Sequence, residues 1–221
     1  MEYFILKTAS GTEETGMEYP QANMKSDYDF KAPDSIWEVN SNSFPLIAPN
    51  LTYFDIVPGA RLTDFISTPA THGFVISPKV KDLLGEFTLV PHKFYPAIVK
   101  YDGEFYNYYW LHIVSDMTQY VDFKRTKFYV TNFLKKISDI NINSKDEMEE
   151  QFKELIIDYK TINAFDIYLI DEFLKLSLDL FIISYFDLRT YISEDLKSRM
   201  LKEKITGIEI SKSNITIPVT S

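Results

Sequence analysis

Apolar and polar positions alternate most regularly between Lys93 and Val114. The run from Lys93 to Tyr101 reaches Asp102-Gly103, the strongest two-residue turn signal, and returns from Glu104 to Val114, which predicts a β-hairpin. On the return strand Tyr106, Tyr108, Trp110 and His112 share one face, while Phe105, Tyr109, Leu111 and Ile113 share the other. Both faces are apolar or amphipathic, so a central strand covered on both sides is expected. Helical spacing takes over after Ser144: Ser144-Lys145-Asp146-Glu147 is a capping box, followed by Met148, Phe152, Leu155 and Tyr159 on one stripe. Shorter apolar runs predict strands at Met1 to Lys7, Phe44 to Phe54, Ala164 to Ile170, Leu178 to Ser184 and Ile208 to Ile210. Residues 8–62 carry scattered Gly and Pro and read as loops and short strands. Residues 212–221 read as a polar, β-prone tail that frays.

One phrase occurs twice. Val75-Ile76-Ser77-Pro78-Lys79-Val80-Lys81 returns as Tyr191-Ile192-Ser193-Glu194-Asp195-Leu196-Lys197. In each copy an extended apolar residue delivers the chain to a serine able to cap a helix, and Val80/Leu84 or Leu196/Met200 follow on one helical face. Pro78 presets the first turn of one helix, and Glu194-Asp195 suits the dipole of the other. Gly85 is expected to close the first helix in the left-handed conformation. The fold class that follows is α+β, with mixed, mostly antiparallel sheets, short helices and two related halves. The expected segments are 1–63 (N-terminal strands and loops), 64–140 (first half) and 141–221 (acidic helix and second half), within what could be one compact domain.

The charge distribution sharpens this outline. The chain of 221 residues carries a formal net charge of −9, and residues 146–195 alone hold thirteen acidic and four basic side chains. Such a lobe repels nucleic acid and attracts basic surfaces, although a solvated helix face has the same composition. There is no cysteine, which excludes disulfides and thiolate metal sites and fits a reducing compartment. No signal peptide is legible at the N-terminus, and no apolar run is long enough to span a bilayer, so a soluble cytoplasmic protein is expected.

Residues with catalytic potential do not assemble into a recognisable site. His72, His92 and His112 stand twenty apart, a spacing without local geometric meaning, and no metal site is expected. No nucleophile elbow surrounds a serine and no glycine-rich loop is present, so no catalytic residue and no cofactor is assigned. Lys124-Arg125-Thr126-Lys127 is the one basic cluster, too little for a nucleic-acid binder of this overall charge. Tyr106, Tyr108 and Trp110 read as an aromatic core face, with ligand stacking as the competing reading. Glu147, Glu150, Glu154 and Asp158 align along one helical stripe, with Glu149 beside it. These five acids are the candidate partner-binding residues.

The chain resembles a bacterial family, the polymorphic-toxin immunity proteins numbered eleven in the Imm series. The resemblance rests on the opening Met1-Glu2-Tyr3-Phe4-Ile5-Leu6-Lys7, on Asp64-Phe65-Ile66 feeding Phe74-Val75-Ile76-Ser77, and on Tyr95-Pro96-Ala97-Ile98-Val99 before the Asp102-Gly103 turn. It continues in Asp179-Leu180-Phe181, in Tyr191 to Lys197 and in Ile205-Thr206-Gly207-Ile208. Ile182 departs from the pattern, since the family often has arginine there, and residues 140–160 look like an added acidic helix. The resemblance implies an α+β protein that neutralises a cognate toxin domain by binding it, without catalysis. A basic nuclease is one class of partner that an acidic surface would suit. The competing classes are a hydrolase with a dispersed site and a scaffold module that binds a small ligand.

Overall fold

The computed structural model describes residues 2–16, 20–51, 54–70, 72–133 and 135–217. The first half of the chain forms β1 (Tyr3–Thr8), the helical turn α1 (Thr12–Thr15), β2 (Ala22–Met24), β3 (Phe54–Ile56), β4 (Phe65–Ile66), β5 (Gly73–Ile76), α2 (Pro78–Leu84) and β6 (His92–Tyr101). The second half forms β7 (Glu104–Ile113), β8 (Phe128–Asn132), β9 (Lys135–Ile140), α3 (Lys145–Ile157), β10 (Lys160–Ala164) and β11 (Ile167–Tyr168). It closes with β12 (Leu180–Ser184), β13 (Asp187–Ser193), α4 (Glu194–Lys202), β14 (Ile208–Lys212) and β15 (Ile215–Thr216). Helices and mainly antiparallel sheets are thus combined in an α+β fold.

The repeated phrase builds the same local structure twice. Ser77 and Ser193 adopt φ/ψ of −68/161 and −68/162, and each hydroxyl accepts from a backbone N–H three residues on, of Val80 and of Leu196. Each hydroxyl also donates to a buttressing carboxylate: Ser77 to Asp64 Oδ1 at 2.8 Å, Ser193 to Asp179 Oδ1 at 2.7 Å. The backbone N–H of each serine bonds the carbonyl of the same aspartate, at 2.8 and 2.9 Å.

The equivalence reaches well beyond the serine caps. Tyr108 donates its hydroxyl to the carbonyl of Thr63, the residue before Asp64, and Tyr3 donates to Leu178, the residue before Asp179. Burial, with the neighbouring aspartate in each case, pushes both phenols well above the usual tyrosine range. Lys81 lies over the ring of Tyr109 at 4.3 Å, and Lys197 over Phe4 at 3.6 Å. Tyr3-Phe4-Ile5-Leu6 therefore corresponds to Tyr108-Tyr109-Trp110-Leu111, and β1 to β7. The sheets agree: β7 lies antiparallel between β5 and β6, as β1 does between β13 and β14. Farther out, β3 runs parallel to β6 as β11 runs parallel to β15.

The molecule is therefore two copies of one unit, joined at the Asp102-Gly103 turn. Each copy hands its first strand to the other: β1 completes the sheet of β12, β13 and β14, and β7 completes that of β4, β5 and β6. A second exchange locks the halves. Asp64 Oδ2 accepts from the N–H and hydroxyl of Thr206, both at 3.0 Å, and Asp179 Oδ2 accepts from the N–H of Thr88 at 2.9 Å. Arg199 of α4 reaches Glu86, just after α2, and Lys79 of α2 donates to the carbonyl of Glu203, just after α4.

One large apolar cluster runs through both copies, from Tyr3 and Leu6 through Ile76, Leu111 and Phe181 to Met200. The sheets and this core cross the segment boundaries expected at 63/64 and 140/141. A second cluster, centred on Trp110, Val75 and Val99, lies on the opposite face of the β5–β7–β6 sheet, under Tyr28, Ile36, Val39 and Leu51.

Several local expectations give way to tertiary structure. The hairpin forms as anticipated, but Glu104 to Asn107 are exposed, so the two-sided cover of β7 begins only at Tyr108. Residues 44–51 form no strand. Pro45 and Pro49 remove two ladder donors there, and the strand begins at Phe54, with residues 52 and 53 outside the described set. The run Ala164 to Ile170 splits into β10 and β11. Gly85 caps α2 with φ −63, right-handed rather than left-handed, because its N–H continues bonding to Lys81 and Leu83. The tail contributes the strand β15, and residues 218–221 lie outside the described set.

Candidate functional site

Superposing the two units in sequence exposes one large asymmetry. Between β2 and β3 the first unit has a loop, residues 25–51, with a single 3-10 turn at Ile36–Glu38. At the equivalent place, between the bridge residue Val121 and β11, the second unit inserts the sheet β10-β8-β9 and the helix α3. All five candidate acids belong to this insertion.

The helix starts as its sequence demands. Ser144 accepts from the N–H of Glu147 at 3.2 Å, while the Glu147 carboxylate reaches back to the N–H of Asn143 at 2.8 Å, one residue farther than a simple capping box. Met148 is fully buried, and Phe152 meets the Tyr185 ring edge-on at 5.5 Å. Lys145 anchors the first turn on Asp116 at 2.6 Å. Burial alone would raise the Asp116 carboxyl, but hydrogen bonds from Lys145 and Thr118 outweigh it and hold the group below its ordinary value.

The structure sorts the five acids. Glu147 is spent on the cap. Glu149 lies 3.8 Å from Lys145 and accepts from the Tyr185 hydroxyl; burial and this carboxylate push Tyr185 up to about 12. Asp158 stands just past the helix as its C-cap and pairs with Lys160 at 2.8 Å. Glu150 and Glu154 are exposed on the outer face, and among the described residues neither pairs with a cation; Glu154 accepts only from Gln151. Two acids of the stripe thus remain available to a partner. Tyr159, expected on the packed face, is instead exposed at φ 56, because the helix ends before it.

The same insertion carries exposed apolar side chains. Ile156, Ile157 and Tyr159 at the end of α3, Phe133 and Ile137 around β9, and Phe165 after β10 are all more than half exposed. Phe165 stacks on Tyr129 at 4.4 Å, and Lys136 lies over both rings. Charge periodicity in the sequence marked the acids. The exposed apolar residues were missed, since their helical and strand spacing reads as core.

The histidines and the aromatic stripe also find their places. His112 is buried, with Nε2 directed at the carbonyl of Asn40 at 2.8 Å, and burial holds its pKa below the ordinary value. His92 bonds the carbonyl of Val90 through Nδ1, and His72 sits at φ 60. No group of potential metal ligands occurs among the described residues. Tyr108 and Trp110 are core, whereas Tyr106 is more than a third exposed, so the stripe is not one continuous surface. Arg125 of the basic cluster stacks on Tyr168, and the buried Thr126 accepts from the N–H of Tyr168. No helix among the described residues is long and apolar enough to cross a membrane.

A recess lies elsewhere, where the two units meet. A cleft of about 520 Å³ is lined by His72, Phe74 and Ile113 from one sheet and by Leu188, Thr190 and Thr8 from the other, among further residues. In the correspondence of the units these are matched positions, so the cleft lies on the seam between the halves. Nothing in the sequence signals it, because it exists only where the two units face each other.

No protein-family model matches the chain, and no curated protein matches it significantly.

Proposed function

We propose that this protein is an immunity protein that binds and neutralises a cognate toxin domain without catalysis. The reading rests on the insertion of the second unit. A duplicated scaffold carries, on one copy only, a sheet and helix that bear both unpaired carboxylates and exposed apolar side chains. Apolar and aromatic side chains supply most of the energy of a protein interface, while charges set encounter rate and partner choice. The resemblance to the Imm-series family points the same way. The partner chemistry that fits is a basic protein surface, such as that of a nuclease toxin. Glu150 and Glu154 are the contact residues, and Glu147, Glu149 and Asp158 hold the helix in place.

Reversing both outer acids tests this. Glu150→Lys/Glu154→Lys should slow association with the cognate toxin domain by about tenfold at low salt, and the gap should narrow as salt rises. Both side chains are exposed and distant from the core, so the thermal midpoint should move little. Stopped-flow association kinetics and a melting curve read the two effects separately. An unchanged association rate in the double reversal would remove α3 from the interface.

A further inference from the structure

We infer that residues 40–48 form a strap over the Trp110 face of the first unit, latched at neutral pH by His112 and released when that histidine takes up a proton. This inference does not rest on the protein-binding reading. The strap is weakly attached. Val39 and Pro49 are buried and pin its ends, while every residue from Asn40 to Ala48 is partly or fully exposed. Its first turn is braced within itself, since Asn40 Oδ1 accepts from the backbone N–H groups of Asn42 and Ser43 at 2.9 and 3.0 Å. Among the described residues, a single hydrogen bond joins residues 40–48 to the rest of the molecule, from His112 Nε2 to the Asn40 carbonyl at 2.8 Å. Phe44 closes over this latch, edge-on to the His112 ring at 5.6 Å, with Lys93 over its own ring at 4.6 Å.

The latch is built for a neutral imidazole. A carbonyl only accepts, so Nε2 carries the ring proton and Nδ1 is left as a bare acceptor. Nδ1 is buried and has no partner among the described residues, so a second proton arriving there finds no acceptor. The surrounding charged groups have the wrong sign to help. Lys93 faces the ring across the β6–β7 ladder, His72 adjoins it from just before β5, and Tyr95 lies 6.3 Å away on β6. The strap itself contains no titratable residue. Burial, His72 and Lys93 all oppose the imidazolium, and only the bond to Asn40 favours it.

Opening removes this opposition at small cost. Trp110 stacks on His112, Tyr95 is tilted against both, and Trp110 Nε1 and the Tyr95 hydroxyl are likewise buried without a partner among the described residues. Water admitted to this face hydrates the imidazolium and satisfies these two groups as well. The closed strap holds His112 neutral, and the open one lets it titrate near the ordinary histidine value of about 6.5. Closure therefore has its full strength above that pH and weakens as the pH falls below it.

Acid titration of the full chain tests the inference. Trp37→Phe leaves Trp110 as the one tryptophan. Its accessibility to acrylamide is the readout, taken from lifetime-corrected quenching constants, because an imidazolium against the indole dims the emission by itself. The constant should rise severalfold between about pH 7.5 and about pH 5, with the far-UV circular dichroism unchanged. His112→Gln, added to this variant, keeps a donor for Asn40 without a titratable group and should abolish the rise. A second readout leaves His112 in place. The chain has no cysteine, so nitroxides on Leu46→Cys and Leu188→Cys, both at exposed positions, report the strap as a distance. The single distance at neutral pH should gain a second component in acid. The inference fails if the quenching constant is flat, if it rises only together with loss of the dichroism, if His112→Gln retains the rise, or if the label distance is the same at both pH values.

Discussion

Trp110→Ala should destabilise the fold by about 3–5 kcal/mol, the range for removing a large aromatic side chain from a packed core. Trp110 is fully buried in β7, stacked on His112 at 4.8 Å with an interplanar angle of 7° and tilted against Tyr95 at 5.7 Å. Its Nε1 has no hydrogen-bond partner among the described residues, so the loss is one of packing, with no polar group stranded. The strand around it cannot collapse inward, because β7 is held on both sides by β5 and β6, and Trp110 shares its core cluster with Val75, Val99 and Ile36. Urea unfolding monitored by far-UV circular dichroism measures the cost. Fluorescence gives an internal control: the chain has two tryptophans, and Trp37 is 62% exposed. The variant should therefore lose the blue-shifted component and keep the red-shifted one. A cost below about 1 kcal/mol would mean that Trp110 does not occupy the centre of the sheet.

Asp179→Ala should cost about 3 kcal/mol or more, clearly above the roughly 1 kcal/mol expected for loss of a serine cap in Ser193→Ala. One carboxylate performs two tasks here. Oδ1 orients the capping hydroxyl of Ser193, and Oδ2 accepts from the N–H of Thr88 in the other copy. Removing it leaves a backbone donor without its charged acceptor and loosens the seam between the copies. Asp64→Ala should behave alike, since Asp64 carries the matching bonds to Ser77 and Thr206. Equal costs for Asp179→Ala and Ser193→Ala would show that the aspartate supports the cap alone and not the exchange between copies.

How much of this was legible in the sequence depends on the range of each interaction. The serine caps, the Asp102-Gly103 hairpin and α3 declare themselves within a few residues, because a cap or a tight turn is specified locally. The duplication shows in sequence only around the two caps. Beyond them Tyr3-Phe4-Ile5-Leu6 and Tyr108-Tyr109-Trp110-Leu111 share two identical residues, and what equates them is sheet register and the tyrosine hydroxyl bonds. The Asp–Thr exchange joins Asp64 to Thr206 and Thr88 to Asp179, far outside any window of local pattern. The candidate acids were placed by periodicity, but which of them are engaged depends on Asn143, Tyr185 and Lys160, partners fixed by the fold. The cleft had no sequence signal, since its walls read as ordinary strand residues.

The central functional claim is that this chain captures a toxin domain directly. Its most direct test is isothermal titration of the purified chain into purified, catalytically disabled toxin domains from any toxin genes found beside its own, repeated at low and high salt. A saturable one-to-one complex is expected, with an affinity that falls as salt rises, in line with an acidic face meeting a basic one. No binding at low salt, or binding indifferent to salt, would contradict it.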